Sequence, residues 1–415
     1  MKDKKYLPAA IIMYLNYFVH GVGCSVLGQA TIKATLANAW GVDAMKITAI
    51  SAALGLGRLI ALPFAGPLSD KMGRKISTMV GSLSYAVYLL GLMFAFNAGV
   101  NGGYTIAYVC AVIGGIANSF LDTGIYPALG EIFTAAKGVA TMGIKFAISV
   151  SQMLLAGFLG FCAAPIIVNG VQATFDLNGT EVLLNNYNKL FIICGGAYLI
   201  LGILIFFMKL PDGEASEKKE GLIEGIKKAN FSIESIAMIA IGFTCTGTFQ
   251  LWLNCAQNYA VSNAGWETPA IMQTYYSMAC LIVLVGTALL TKWIKDVRFI
   301  FVYPCICLVT LVVVRMFPSQ FTCSVGAALI GGFASGGLLQ IATSVCNQIF
   351  PQIKGTVTAL VMIMSSLCNY TLLQVASGMT PAGVMTMNIV LTAVGVLLGL
   401  FVNMRYANLV AGTEE

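Results

Sequence analysis

Apolar stretches close to the ~20 residues that cross ~30 Å of hydrocarbon recur along the whole chain, twelve times in all. This recurrence constrains the fold more than any other feature, because a helix satisfies its own backbone in lipid and an isolated strand does not. The expected spans are 8–34, 44–67, 75–96, 104–131, 139–166 and 189–209, followed by 232–259, 267–291, 299–316, 323–347, 356–378 and 384–406. Composition agrees: 58% of residues are hydrophobic and 10% are charged, too little charge to cover a soluble domain of 415 residues. The 44 glycines suit helices packed closely in lipid. The expected fold is therefore an all-α membrane protein.

Charge divides the chain further. Lys218, Lys219, Glu220, Glu224, Lys227 and Lys228 make the one long charged stretch. The expected organisation is a six-helix half over 1–209, a linker over 210–231 and a second six-helix half over 232–415. Lys2, Lys4, Lys5, Lys71, Arg74, Lys75, Lys137, the linker lysines, Lys292, Lys295, Arg298, Lys354 and Arg405 all fall on one side of this topology. By the positive-inside rule that side is cytoplasmic, and it holds both termini. The N-terminus leads straight into the first span and reads as retained. The net charge of +6 is spread over short loops, which argues against a nucleic-acid partner. The 12 cysteines are scattered through the spans and read as buried free thiols, and the single histidine, His20, leaves no basis for a zinc site. Asn178-Gly179-Thr180 matches a glycosylation sequon, but Asn-Gly reads more simply as a turn. There is no nucleophile–histidine–acid set and no phosphate-cradling loop, so an enzyme is not expected.

An internal repeat supports two related halves. Gly114-Gly115-Ile116-Ala117 is echoed by Gly331-Gly332-Phe333-Ala334. Ile132, Phe133, Lys137, Gly138 and Thr141 are matched at the same offset by Ile349, Phe350, Lys354, Gly355 and Thr358. The fourth and tenth spans thus correspond, as in parallel repeats about an axis along the membrane normal.

Between the second and third spans the sequence reads Gly66-Pro67-Leu68-Ser69-Asp70-Lys71-Met72-Gly73-Arg74-Lys75. This segment resembles the signature loop of the major facilitator superfamily, with Gly66, Asp70, Gly73 and Arg74 at the defining positions. The resemblance extends over twelve spans and a central linker. It implies two pseudo-symmetric six-helix bundles that rock to alternate access, with no cofactor. Gly66 is expected to allow close helix contact, and Asp70, Arg74 and Glu131 to form pairs that hold one gate state.

Ionisable residues inside the bilayer are functional candidates, because burying them is costly. Asp122, Arg58 and Lys145 lie within spans of the first half, and the second half shows no comparable charge. Leu121-Asp122-Thr123, with Pro127 beyond it, resembles the fourth span of the fucose permease group of sugar–proton symporters, which implies proton coupling at Asp122. That group also carries an acid in its first span, where this chain has Asn16 and His20. A carboxyl balanced between desolvation and a nearby cation takes up and releases protons as its surroundings change. The alternative is a permanent Asp122–Arg58 pair that braces the bundle. Lys145 either joins Arg58 in a positive cavity or extends toward the cytoplasm. Asn16, His20 and Gln152 in the first half are expected to touch substrate. So are Gln250, Asn254, Gln257, Gln340 and Asn369 in the second, although amides also bond helix to helix.

The expected activity is proton symport of a small polar anion, such as a hydroxylated carboxylate or sugar acid, driven by the proton gradient. Proton-coupled sugar uptake and proton-driven drug or metabolite efflux are the alternatives. Asp122 in the fourth span, without an arginine there, favours uptake over efflux. The expected partners are the lipid bilayer and the small-molecule substrate, with the chain acting as a monomer.

Overall fold

The computed structural model of the protein describes residues 4–133, 137–210, 233–338, 341–342, 344–346 and 354–411. Among them are 12 helices long and apolar enough to cross a membrane. The chain divides into two compact units, Met1–Lys218 and Lys219–Glu415. The charged linker residues and Gln340 lie outside the described residues.

The first unit comprises α1 (Leu7–Ser25), α2 (Ala30–Trp40), α3 (Thr48–Met72), α4 (Arg74–Ala98), α5 (Gly103–Ile132), α6 (Lys137–Cys162) and α7 (Asn188–Phe207). The single first span expected over 8–34 is broken. Gln29 takes an extended conformation (φ −77°, ψ 124°), and α2 restarts at Ala30 before ending at Gly41 (φ +66°). The break re-aims the chain so that Lys33 is fully buried, its Nζ donating to Thr48 Oγ1 at 2.7 Å.

The expected loop at 66–75 is also corrected. Helix α3 runs through Met72, Gly73 alone interrupts it, and α4 starts at Arg74. Asp70 and Lys71 fall in the last turn of α3, and Arg74 opens α4. Gly73 has φ +88°, a conformation that a side chain would strain. Gly66 departs from expectation as well: a Cβ there meets nothing within 4 Å, so it makes no close helix contact.

The close contact lies elsewhere, where α3 crosses α5. A Cβ on Gly57 would lie 2.0 Å from the Val112 carbonyl oxygen, and one on Gly115 would lie 2.1 Å from that of Leu54. Only glycine at both positions lets the two backbones approach this far.

The segment between α6 and α7 is folded, where only a long loop with one turn was expected. Six short strands pair as three antiparallel ladders: β1 (Ala164–Pro165) with β6 (Asn185–Asn186), β2 (Ile167–Val168) with β3 (Val171–Gln172), and β4 (Thr174–Asp176) with β5 (Glu181–Leu183). Asn178-Gly179 turns the last hairpin, with φ of 56° and 91°, as expected of Asn-Gly. Asn169-Gly170 turns the middle one in the same way, with φ of 51° and 83°. Leu177, Val182 and Leu184 are buried in this cap.

The second unit comprises α8 (Ile233–Ala264), α9 (Ile271–Leu290), α10 (Asp296–Met316), α11 (Gln320–Leu329), α12 (Lys354–Ala376) and α13 (Pro381–Ala411). Helix α11 begins at a capping box of Ser319 and Thr322 and continues as a π-helical stretch, Ile330–Leu338. That stretch carries the second copy of the glycine repeat. Gly331 packs on α9, where a Cβ would lie 2.2 Å from the Tyr276 carbonyl oxygen, much as the first copy packs on α3. The 12 cysteines form no disulfide among the described residues, nine of them buried and three half-buried.

Candidate functional site

The α3–α5 crossing places the two opposed charges of the first unit. Arg58 follows Gly57 directly, and Asp122 lies about two turns along α5 from Gly115. Arg58 Nη2 donates to Asp122 Oδ2 at 2.7 Å, and the backbone carbonyl of Arg58 accepts from Ser119 Oγ at 3.2 Å. The pair is not sealed, since the side chains remain 29% and 26% exposed. Tyr17, on α1 and itself buried, donates to the other carboxylate oxygen, Asp122 Oδ1, at 2.5 Å. Both oxygens of Asp122 are therefore engaged, one by a fixed cation and one by a hydroxyl.

Around this carboxylate several polar groups are open. Arg58 Nε and His20 Nδ1 are buried atoms with no hydrogen-bond partner among the described residues. His20 lies edge-on to Tyr17, with ring centroids 5.6 Å apart, and 5.1 Å from Tyr85. Tyr126 is also edge-on to Tyr17, with ring centroids 5.7 Å apart. Lys145 on α6 stands close enough for its charge to act on both His20 and Cys24. No hydrogen bond or ion pair engages Lys145 among the described residues. Asp122, Arg58, His20 and Lys145 thus belong to one neighbourhood, and Tyr17 is the member that sequence reasoning missed. Its signal was its place three residues before His20, about one turn away in the first span.

Two expected members are engaged in bonds between helices. Asn16 is fully buried in helix packing: Ser82 donates to its Oδ1 at 2.6 Å, its Nδ2 donates to the Ile12 carbonyl, and Tyr198 donates to its own carbonyl. Gln152 ties α6 to α1, donating to Ser25 Oγ at 2.6 Å and meeting Cys24 Sγ at 3.5 Å.

At the Gly73 end, Arg74 gathers the ion pairs. It bonds Asp70 at 2.6 Å and lies 3.7 Å from Glu131 at the end of α5. Ser69 Oγ adds a bond to the Thr123 carbonyl at 3.1 Å, one residue from Asp122. This network and the Asp122 site therefore share one stretch of α5.

In the second unit, Gln250, Asn254 and Gln257 recur along one face of α8. Asn254 Nδ2 donates to the Gln250 carbonyl at 2.9 Å and to its Oε1 at 3.1 Å. Asn254 and Gln257 are buried. Asn369 on α12 has a buried Oδ1 without a partner among the described residues. Asn258 was not singled out from sequence, yet it is buried with neither side-chain polar atom bonded among the described residues.

These features have known counterparts. Residues 13–369 match the model of the Major Facilitator Superfamily. The inner membrane transport protein YdiN of Escherichia coli is 31% identical over 374 residues, covering 88% of this chain and 82% of YdiN. Among solved structures, the D-xylose-proton symporter superposes with a TM-score of 0.74 at 13% identity, covering 96% of this chain and 97% of that one. The E. coli fucose:proton symporter gives 0.62 at 15% identity, covering 96% and 99%. At such identities the two structures speak for the fold alone. The family model spans most of the chain, and the chain is an integral membrane protein and a secondary transporter of the Major Facilitator Superfamily.

Proposed function

We propose that this transporter carries a small polar anion, a hydroxylated carboxylate or sugar acid, together with protons, and that Asp122 is the coupling group. The observation that supports this most is the pair of bonds on Asp122, from Arg58 to Oδ2 and from Tyr17 to Oδ1. Arginine can only donate, so a protonated carboxyl gives up most of its attraction for Arg58. A tyrosine hydroxyl donates or accepts, so Tyr17 can stay with Asp122 in either state. Proton uptake by Asp122 then frees the Arg58 guanidinium, whose planar fork suits a carboxylate.

Charge arithmetic gives the same order of events. With Asp122 ionised, Arg58, Lys145 and Asp122 leave one net positive charge in the site. Protonation of Asp122 raises this to two, and a bound monocarboxylate restores it to one. The empty and the fully loaded sites carry the same charge, whereas a site holding only the proton or only the anion does not. Electrostatics therefore favours reorientation of the empty and fully loaded forms, which is what symport requires. The Asp70–Arg74–Glu131 cluster serves in this scheme as the gate contact that is made in one orientation and broken in the other.

A neutral sugar is the second reading, supported by the amide row Gln250, Asn254 and Gln257 on α8, whose groups suit hydroxyls. A thermal-shift screen of the purified chain against sugars, sugar acids, hydroxy acids and cations separates the readings. Stabilisation by hydroxylated acids but not by their neutral analogues is the expected result. Stabilisation by sugars alone, or by lipophilic cations alone, would reject the anion assignment.

A further inference from the structure

The cap between α6 and α7 contains two hairpins of opposite chemistry. The β4–β5 hairpin carries exposed Asp176 and Glu181 beside its turn, and Leu177 and Val182 are buried, while Leu183 at the far end of β5 is 51% exposed. The β2–β3 hairpin is the reverse. From Ala163 to Ala173 there is no charged residue. Its apolar residues are left out of the cap's small core: Ile167 is 58% exposed, Val168 55% and Val171 71%. Val168 and Val171 face each other across the Asn169-Gly170 turn, and Ile167 pairs with Gln172, so apolar surface lies on both faces of the tip. The two-residue turn with both φ positive holds the tip in one conformation, so little freedom is lost when it docks.

Exposed apolar surface of this kind marks an interaction site, and its position identifies the occupant. Phe161, in the last turn of α6, is exposed on the membrane-spanning surface. The Lys189 ammonium lies 3.6 Å from the Phe161 ring centroid and donates to its carbonyl at 3.3 Å. A lysine reaching along an apolar span end in this way marks the level where the hydrocarbon meets water. β1 starts at Ala164, and Ile167 lies no more than ~20 Å from Phe161 at the ~3.3 Å per residue of an extended chain. The uncharged hairpin therefore begins within that distance of the level that Lys189 marks.

We propose that the β2–β3 hairpin is an interfacial anchor, inserting Ile167, Val168 and Val171 into the headgroup region of the bilayer while the acidic β4–β5 hairpin stays in water. The anchor fixes the α6–α7 end of the first unit against the membrane.

The test uses the full chain reconstituted into vesicles of phosphatidylcholine and phosphatidylglycerol with acyl chains brominated near the headgroup. Val171→Trp and Val168→Trp each add one indole to the four native tryptophans, whose emission is measured on the unsubstituted chain and subtracted. The added emission is expected to be blue-shifted and to lose most of its intensity in brominated vesicles. Asn178→Trp, on the polar hairpin, should keep its added emission. Water-like, unquenched emission from both valine positions would overturn the proposal. A blue shift without quenching that grows with protein-to-lipid ratio would also overturn it, by assigning the surface to a second copy.

Discussion

Tyr17 and Asp122 are joined by a 2.5 Å hydrogen bond between the first and fourth spans. Tyr17 is buried and packs edge-on against both His20 and Tyr126, which holds its hydroxyl in place. This bond brings α1 into a site whose charges come from α3 and α5.

Tyr17→Phe removes that bond with little change in packing. A hydrogen bond to a charged group contributes about 1.5 kcal/mol, so accumulation driven by a pH gradient should fall roughly tenfold. Exchange of substrate across vesicles without a gradient should persist. Equal loss of both activities would show that Tyr17 only supports the fold.

Lys145 and Arg58 should separate binding from stability. Lys145→Met removes a cation without orphaning a partner, so anion affinity should weaken by about tenfold, the equivalent of ~1.4 kcal/mol, at unchanged thermal stability. Arg58→Met should weaken binding and also lower the melting temperature, because it leaves Asp122 partly buried and unpaired. Calorimetric titration and thermal unfolding on both variants decide the point.

Glycine substitutions test the scaffold. Gly115→Ala would place a methyl group 2.1 Å from the Leu54 carbonyl oxygen. The helices must separate, at a cost of about 1–3 kcal/mol, and the Arg58–Asp122 bond should lengthen with them. Gly66→Ala meets nothing and should leave thermal unfolding unchanged. Any marked fall in its transport rate would then report on the reorienting step.

The Arg74 cluster should govern reorientation and not affinity. Each ion pair at such partly exposed positions contributes about 0.2–1 kcal/mol, and Glu131→Gln removes one. The variant should bind substrate as before while its transport rate changes. A change in affinity with the rate unaffected would count against a gate role.

Sequence and structure agree most closely where hydropathy or charge left few alternatives. The spans were legible because long apolar runs admit one solution in lipid, and Asp122, Arg58 and Lys145 because charge inside such runs is conspicuous. Tyr17 was not, because a tyrosine in an apolar helix reads as packing until its hydroxyl is placed. Asn16 and Gln152 were ambiguous for a related reason: an amide that binds substrate and one that bonds Ser82 or Ser25 look alike in one dimension. The break at Gln29 was hidden because apolar residues continue on both sides of it. The same Asn-Gly signal that located the turn at Asn178 was present at Asn169, between Val168 and Val171, and was masked by the general apolarity around it.

The central claim is that Asp122 couples substrate movement to protons. Its direct test compares Asp122→Asn with the unsubstituted chain in proteoliposomes, using the best acid from the thermal-shift screen. Accumulation under an imposed pH gradient should be abolished while counterflow exchange of preloaded substrate survives at least in part. Full accumulation by the Asp122→Asn variant would contradict the account.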